Sequence, residues 1–280
     1  MQRISPPLRQ QRLASILRDL RETRSLSRDE VAARLGWAAV KVWRIETGKT
    51  RPSVDDASRL TELYGAGLDV RELCERLARQ ASGRPWWAPY RSVLGEYVAF
   101  ETEAVLIRTW EPLLIPGLLQ TEDYARAVHM AAHPDEPADV INLRVKARMT
   151  RHRLLLAETD PTQFTAVISE GALRQRVGGP STMAAQLRRI VDVGERPNVN
   201  IYVLPADIGA HPGLEGSFVL LSLPGHEAHL FVETGVSEVI TDKVELVRDY
   251  ERRFDWLASK SMPPDRSMAF IAEIEEGCGC

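Results

Sequence analysis

The sequence predicts a mainly α protein in two parts: five amino-terminal helices over residues 1–80, and an α+β domain with a small sheet over residues 97–280, joined by a linker at 81–96. Three observations predict this. Apolar residues recur at helical spacing in five successive stretches before residue 80. The texture then breaks at Ser82-Gly-Arg-Pro-Trp-Trp-Ala-Pro-Tyr90, where two prolines and three aromatics cannot continue a helix. Beyond it, short β-branched and aromatic runs alternate with longer helical stretches, the pattern of a mixed domain.

The first helix, about residues 8–23, carries Leu13, Ile16, Leu17 and Leu20 on one face and arginines on the other. A second begins at once, because Ser27 stands three residues before Glu30 as a capping box; Val31, Ala32 and Leu35 form its buried stripe, and Gly36 closes it. A third, Ala38 to Glu46, follows with almost no connector and ends at Gly48. Helix, tight turn, helix is the outline of a DNA-binding module. With Val42 and Ile45 inward, the 100° step puts Val40, Trp43, Arg44 and Thr47 on the outer face, with Ala39 and Lys41 at its edges. Ser53 and Asp56 cap a fourth helix, and Val70, Leu73, Cys74 and Leu77 line a fifth.

Charge agrees with a polyanion partner for this part. Residues 1–52 hold twelve Lys or Arg against five Asp or Glu, a net of +7, whereas the remainder carries −10 and the whole chain −3. A local basic surface attracts nucleic acid while the acidic remainder maintains solubility. An arginine-rich bundle of this kind also suits a protein partner.

The run Leu35-Gly-Trp-Ala-Ala-Val-Lys-Val-Trp-Arg-Ile-Glu-Thr-Gly-Lys-Thr-Arg-Pro-Ser53 resembles the recognition segment of the λ-repressor-like, or Xre-type, transcriptional regulators. The resemblance implies that Ala39, Val40 and Arg44 read bases, that Lys41, Lys49 and Arg51 hold phosphates, and that Arg28 contacts the backbone near the start of the second helix. It also implies a buried Arg21–Glu46 ion pair and a homodimer on a double-stranded DNA operator. Of the base readers, Arg44 alone offers two parallel donors to guanine; Ala39 and Val40 can touch only a thymine methyl. Trp43 departs from the pattern, standing where relatives place a small hydroxyl residue, and the cap before the third helix is apolar at Trp37-Ala38. Gly48-Lys-Thr50 is no phosphate loop, since it ends a helix and the required first glycine falls at Trp43.

In the second part, Phe164 to Ile168, Val199 to Leu204, Phe218 to Leu223 and His229 to Glu233 read as strands, and Thr121 to Ala132, Ala138 to Ala157, Thr182 to Val193, Lys243 to Ser259 and Ser267 to Glu276 as helices. Trp86 and Trp87 are read as packing the linker on this domain rather than as a base-stacking platform. The block from Trp110 through Ile115-Pro116-Gly117, Gln120 and Tyr124 to Ala127 is similar to the signature of an uncharacterised domain that follows an Xre-type head in many regulators of actinobacteria. Glu170-x-x-Leu173, Val177-Gly-Gly179, Gln186-Leu187 and Leu204-Pro205 fit the same pattern. That resemblance implies a small companion protein encoded nearby, in a toxin–antitoxin-like pair. Trp110, Pro116, Gly117, Gln120 and Tyr124 are then a partner or ligand surface, and a packing corner is an equal reading of the same turn residues.

Catalysis has little support. Gly213-Leu-Glu-Gly-Ser217 puts serine in the wrong slot for a nucleophile elbow, and His226-Glu-Ala-His229 is one residue short of a zinc protease motif. His129 and His133 share a helical face, which suits a solvated helix end better than a metal site. Glu101, Glu103, Glu111 and Glu170 are acids whose mutual distances the sequence leaves open. No catalytic residue, metal or cofactor is expected. Cysteines Cys74, Cys278 and Cys280 are too few for a disulfide scaffold, Cys74 reads as core, and no stretch is long and apolar enough for a membrane span. The expected compartment is the cytoplasm.

Overall fold

The computed structural model describes residues 6–81, 85–158, 160–224, 228–234 and 237–277. The chain divides into two compact units, Gln2–Ala88 and Pro89–Cys280, with the division inside the expected linker. The amino-terminal unit holds α1 (Pro6–Thr23), α2 (Arg28–Leu35), α3 (Ala39–Glu46), α4 (Val54–Leu63) and α5 (Leu68–Gln80). Ser27 Oγ accepts from the Glu30 amide at 3.2 Å while the Glu30 carboxylate accepts from the Ser27 amide at 2.8 Å, so the capping box forms. Gly36 takes φ +70°, and the short turn it permits lets α3 start three residues later without a side-chain cap at Ala38. Leu13, Leu17, Val31, Val42, Ile45, Leu60, Cys74 and Leu77 make one core. Trp87 is buried and Trp86 half-buried.

The second unit contains α6 (Tyr97–Glu103), β1 (Leu106–Glu111), α7 (Glu122–Ala132), α8 (Ala138–Arg151), α9 (Arg153–Leu156), β2 (Gln163–Ser169), α10 (Glu170–Arg174), α11 (Pro180–Gly194), β3 (Val199–Leu204), β4 (Phe218–Ser222), β5 (Ala228–Thr234), β6 (Ser237–Thr241), α12 (Val244–Lys260) and α13 (Pro264–Gly277). The strands form one mixed sheet in the order β3-β2-β1-β4-β5-β6, parallel from β3 to β1 and antiparallel from β1 to β6. One face carries Ile107, Phe164, Ile168, Ile201 and Phe231 into a core shared with Tyr124, Leu187 and Ile271. The opposite face places Trp110, Val167, Leu220 and Leu230 against Val247, Phe254 and Leu257 of α12.

The sheet is larger than expected, with six strands where four were read. The two additional strands fail the apolar test for different reasons. On β1, Thr109 and Glu111 follow Ile107 on one face, so the alternation turns polar midway. On β6, an edge strand, the first three residues are exposed. The expected helix to Ala157 breaks at His152 into α8 and α9, and α6 and α10 are short helices that periodicity did not reveal.

Candidate nucleic-acid interface and ligand cavity

The outer face of α3 is built by what lies beneath it. Val42 and Ile45 are fully buried, and Glu46 is 3% exposed. Glu46 accepts from Arg21 Nε at 2.7 Å and Nη2 at 3.1 Å, and from Arg28 Nε at 2.8 Å, so one carboxylate ties α1, α2 and α3 together. Hydrogen bonding to Glu46 raises the Arg21 pKa. The face thus held outward shows Val40 and Trp43, 51% and 37% exposed, beside Arg44, which is exposed and whose guanidinium makes no hydrogen bond among the described residues.

The other expected DNA contacts are less free. Lys41 donates to Asp56 at 2.6 Å and lies 3.7 Å from the Trp37 ring centroid, which ties it to α4. Arg51 donates to the Ala81 carbonyl at 3.2 Å, and Arg28 serves Glu46. Lys49 sits 4.3 Å over the Trp43 ring, a cation–π contact through which the unusual indole holds a cation at the end of α3. Ala39 is half-buried at the start of the helix. A shallow groove between α2 and α3 is lined by Arg28, Ala39, Val40 and Trp43.

The expected partner or ligand surface divides. Trp110 is fully buried, with Nε1 donating to the Gly213 carbonyl at 2.8 Å on the α12 side of the sheet. Tyr124 is fully buried as well, its hydroxyl accepting from the Ile115 amide at 3.1 Å. Both correct the expectation: these aromatics are core, because burying a large ring with its polar tip satisfied outweighs exposing it. Pro116, Gly117 and Gln120 instead line a cavity of about 400 Å³ between the sheet and helices α6, α7 and α8. Gln120 is the hinge of this wall: its amide donates to the Ile115 carbonyl at 2.7 Å and accepts from Arg148 at 2.7 Å. Gln186, fully buried, accepts from the Thr121 amide at 2.7 Å and donates to the Leu119 carbonyl at 2.9 Å, fixing the turn from the other side.

Two of the four acids singled out by sequence meet here. Glu101 accepts both Arg151 bonds, at 2.6 and 2.7 Å, and Glu111 faces the same space with, among the described residues, only the Thr109 hydroxyl at 3.2 Å on it. Burial pushes the Glu111 carboxyl up to about 7, against opposing pulls from Thr109 and Arg148. Glu103 is buried outside this cavity, and Glu170 bonds Arg174 and the Ala206 amide. His129 and His133 stack 6.5 Å apart at the cavity edge; no group of three metal-ligating side chains occurs among the described residues. His226, Cys278 and Cys280 lie outside the described residues.

Two family models match the chain. Residues 94–273 match the model described as a domain of unknown function, DUF5753, and residues 12–74 match that of a helix-turn-helix domain. The chain belongs to the DUF5753 family. Neither a curated protein nor a solved structure matches it. The DUF5753 match spans the whole sheet and the helices over the cavity, and the helix-turn-helix match covers α2 and α3 with the face described above. No helix of the described residues is long and apolar enough to cross a membrane. Arg144, Arg148, Arg151, Glu233 and Glu238 of the DUF5753 cavity escaped sequence reading. One signal was present: the three arginines follow i, i+4, i+7 spacing on a single helix.

Proposed function

We propose that the chain is a cytoplasmic, sequence-specific transcriptional regulator of the Xre type, without catalytic activity, in which α3 enters the major groove and the DUF5753 domain senses a ligand or a partner. The observation that carries this reading is Arg44: an uncommitted guanidinium on the exposed face of a helix whose opposite side is anchored by Val42, Ile45 and Glu46. The protein acts as a homodimer on half-sites about one helical turn apart, since a two-fold protein matches a two-fold operator. A small companion protein encoded nearby, in a toxin–antitoxin-like arrangement within actinobacteria, fits the domain order and rests on resemblance alone.

Binding of the full chain to its own upstream DNA, followed by gel shift across a salt series, tests this. Arg44→Ala costs about 1–3 kcal/mol on the operator and relaxes preference at one base pair. Lys49→Ala weakens binding to all sequences and flattens the salt slope by about 1, as expected when one phosphate is no longer neutralised. The opposite pattern reverses the roles, absence of any salt-sensitive shift removes DNA binding, and a monomer by light scattering at micromolar concentration removes the dimer.

A further inference from the structure

One rim of the cavity carries a row of acids, of which Glu233 and Glu238 are exposed. Trp110 pairs with Phe218, Val219 with Phe231, and Glu233 with Glu238, so Glu111, Glu233 and Glu238 lie at one end of β1, β5 and β6, on the same sheet face as Phe231. Neighbouring strands stand about 4.8 Å apart, so this row is extended rather than convergent, unlike the shell of a single metal ion. Opposite it, α8 supplies Arg144, Arg148 and Arg151.

These charges attract one another across the cavity, but few are in direct contact. Arg144 is taken by Glu136 at 2.6 and 2.8 Å, and Arg151 by Glu101. Arg148 has only the neutral Gln120 amide, and among the described residues no cation lies within ion-pair distance of Glu111, Glu233 or Glu238. His129, 9% exposed, leaves Nε2 buried without a hydrogen-bond partner at the same cavity. Burial and the nearby arginines hold this imidazole neutral, down to about 4. A buried ring nitrogen without a hydrogen-bond partner is costly unless something completes it, and a half-buried arginine that only feels its acids at a distance is open to a closer anion.

We propose that this cavity binds a small basic amino acid, its carboxylate on Arg148 and His129 and its ammonium groups on Glu111 and Glu233. One anionic and two cationic groups answer one unpaired arginine and the excess of acid, and the volume falls in the ordinary range for small-ligand sites. The apolar Ile107, Phe164 and Phe231 face the connecting methylenes. The proposal deepens the sensing role given to the DUF5753 domain and rests on it for its purpose.

Titration calorimetry of the full chain with L-lysine tests the site directly, with L-norleucine lacking the side-chain ammonium, cadaverine lacking the carboxylate, L-glutamate as a probe of wrong charge and Mg²⁺ as a probe for a simple cation site. Lysine binds, and norleucine and cadaverine bind at least about tenfold more weakly, which corresponds to about 1.4 kcal/mol for a missing charged group. Glu233→Gln, on an exposed strand end, and Glu111→Gln each weaken lysine by a similar factor, with melting curves verifying that both fold. Silence with lysine at about 10 mM, equal binding of norleucine or glutamate, Mg²⁺ binding that Glu233→Gln abolishes, or unchanged affinity in both variants overturns the site. Lysine binding that leaves DNA affinity unchanged upholds the site and overturns the sensing role.

Discussion

Glu46 is the residue on which the orientation of α3 turns, since its two carboxylate oxygens take three bonds from two arginines. A buried ion pair adds little net stability, because desolvation offsets attraction, but removing one partner strands the other. Arg21, 8% exposed, would keep only its bonds to the Leu26 carbonyl and Glu22. Glu46→Ala therefore lowers stability by about 3 kcal/mol in denaturant melts and weakens operator binding more than the stability loss alone accounts for. Glu46→Gln, which retains the acceptor oxygen, recovers part of both. Arg44 sits on the same helix, and its exposure follows from that anchoring rather than from any preference of arginine itself.

At the scale of elements, α2 and α3 differ in how they start. The reciprocal bonds of Ser27 and Glu30 satisfy orphan amides of α2, whereas Ala38 offers none to α3. Ala38 already has φ −78° and ψ 138°, the extended geometry of a cap. Ala38→Ser should thus raise stability by about 0.5–1 kcal/mol without moving the helix, a change read from the denaturation midpoint. A loss instead would mean that the α2–α3 turn has no room for the hydroxyl. The strands that sequence patterning missed are those where a polar cavity or an edge overrides packing. β1 carries Thr109 and Glu111 because one of its faces opens on the cavity, and β6 has only one strand neighbour. Periodicity detects a face turned toward a core, so a strand facing a polar cavity does not register.

At the scale of the whole molecule, buried titratable groups pull stability in opposite directions with pH. Glu111 is raised from 4.5 to about 7, so the folded state holds the proton more tightly than the unfolded chain; its contribution falls as pH rises from about 4.5 to 7 and stays low above. His129 and His152 are lowered from 6.5 to about 4, chiefly by burial, so the unfolded chain binds more protons between those limits and their contribution is lost as pH falls through them. Glu111→Gln removes the first effect alone. Relative to the parent, the variant should gain on the order of 2 kcal/mol on moving from about pH 5 to about pH 8, measured by thermal melts without ligand. An equal difference at both pH values would mean that Glu111 is solvated in the folded chain.

Local sequence specifies the five amino-terminal helices, the capping box at Ser27 and the inward Val42 and Ile45, because each depends on residues within a few positions of one another. The Arg21–Glu46 pair came by resemblance and stands as implied. Tertiary structure decided that Trp110 and Tyr124 are core and that Lys49 rests on Trp43. It also decided that Glu101, Glu111, Arg148 and Glu233 share one cavity. Those residues come from α6, β1, α8 and β5, and only the pairing of β1 with β4 and β4 with β5, under the helices that cover that face, brings them together. Charge at such separations leaves no local periodicity, so it becomes legible only once the sheet is closed.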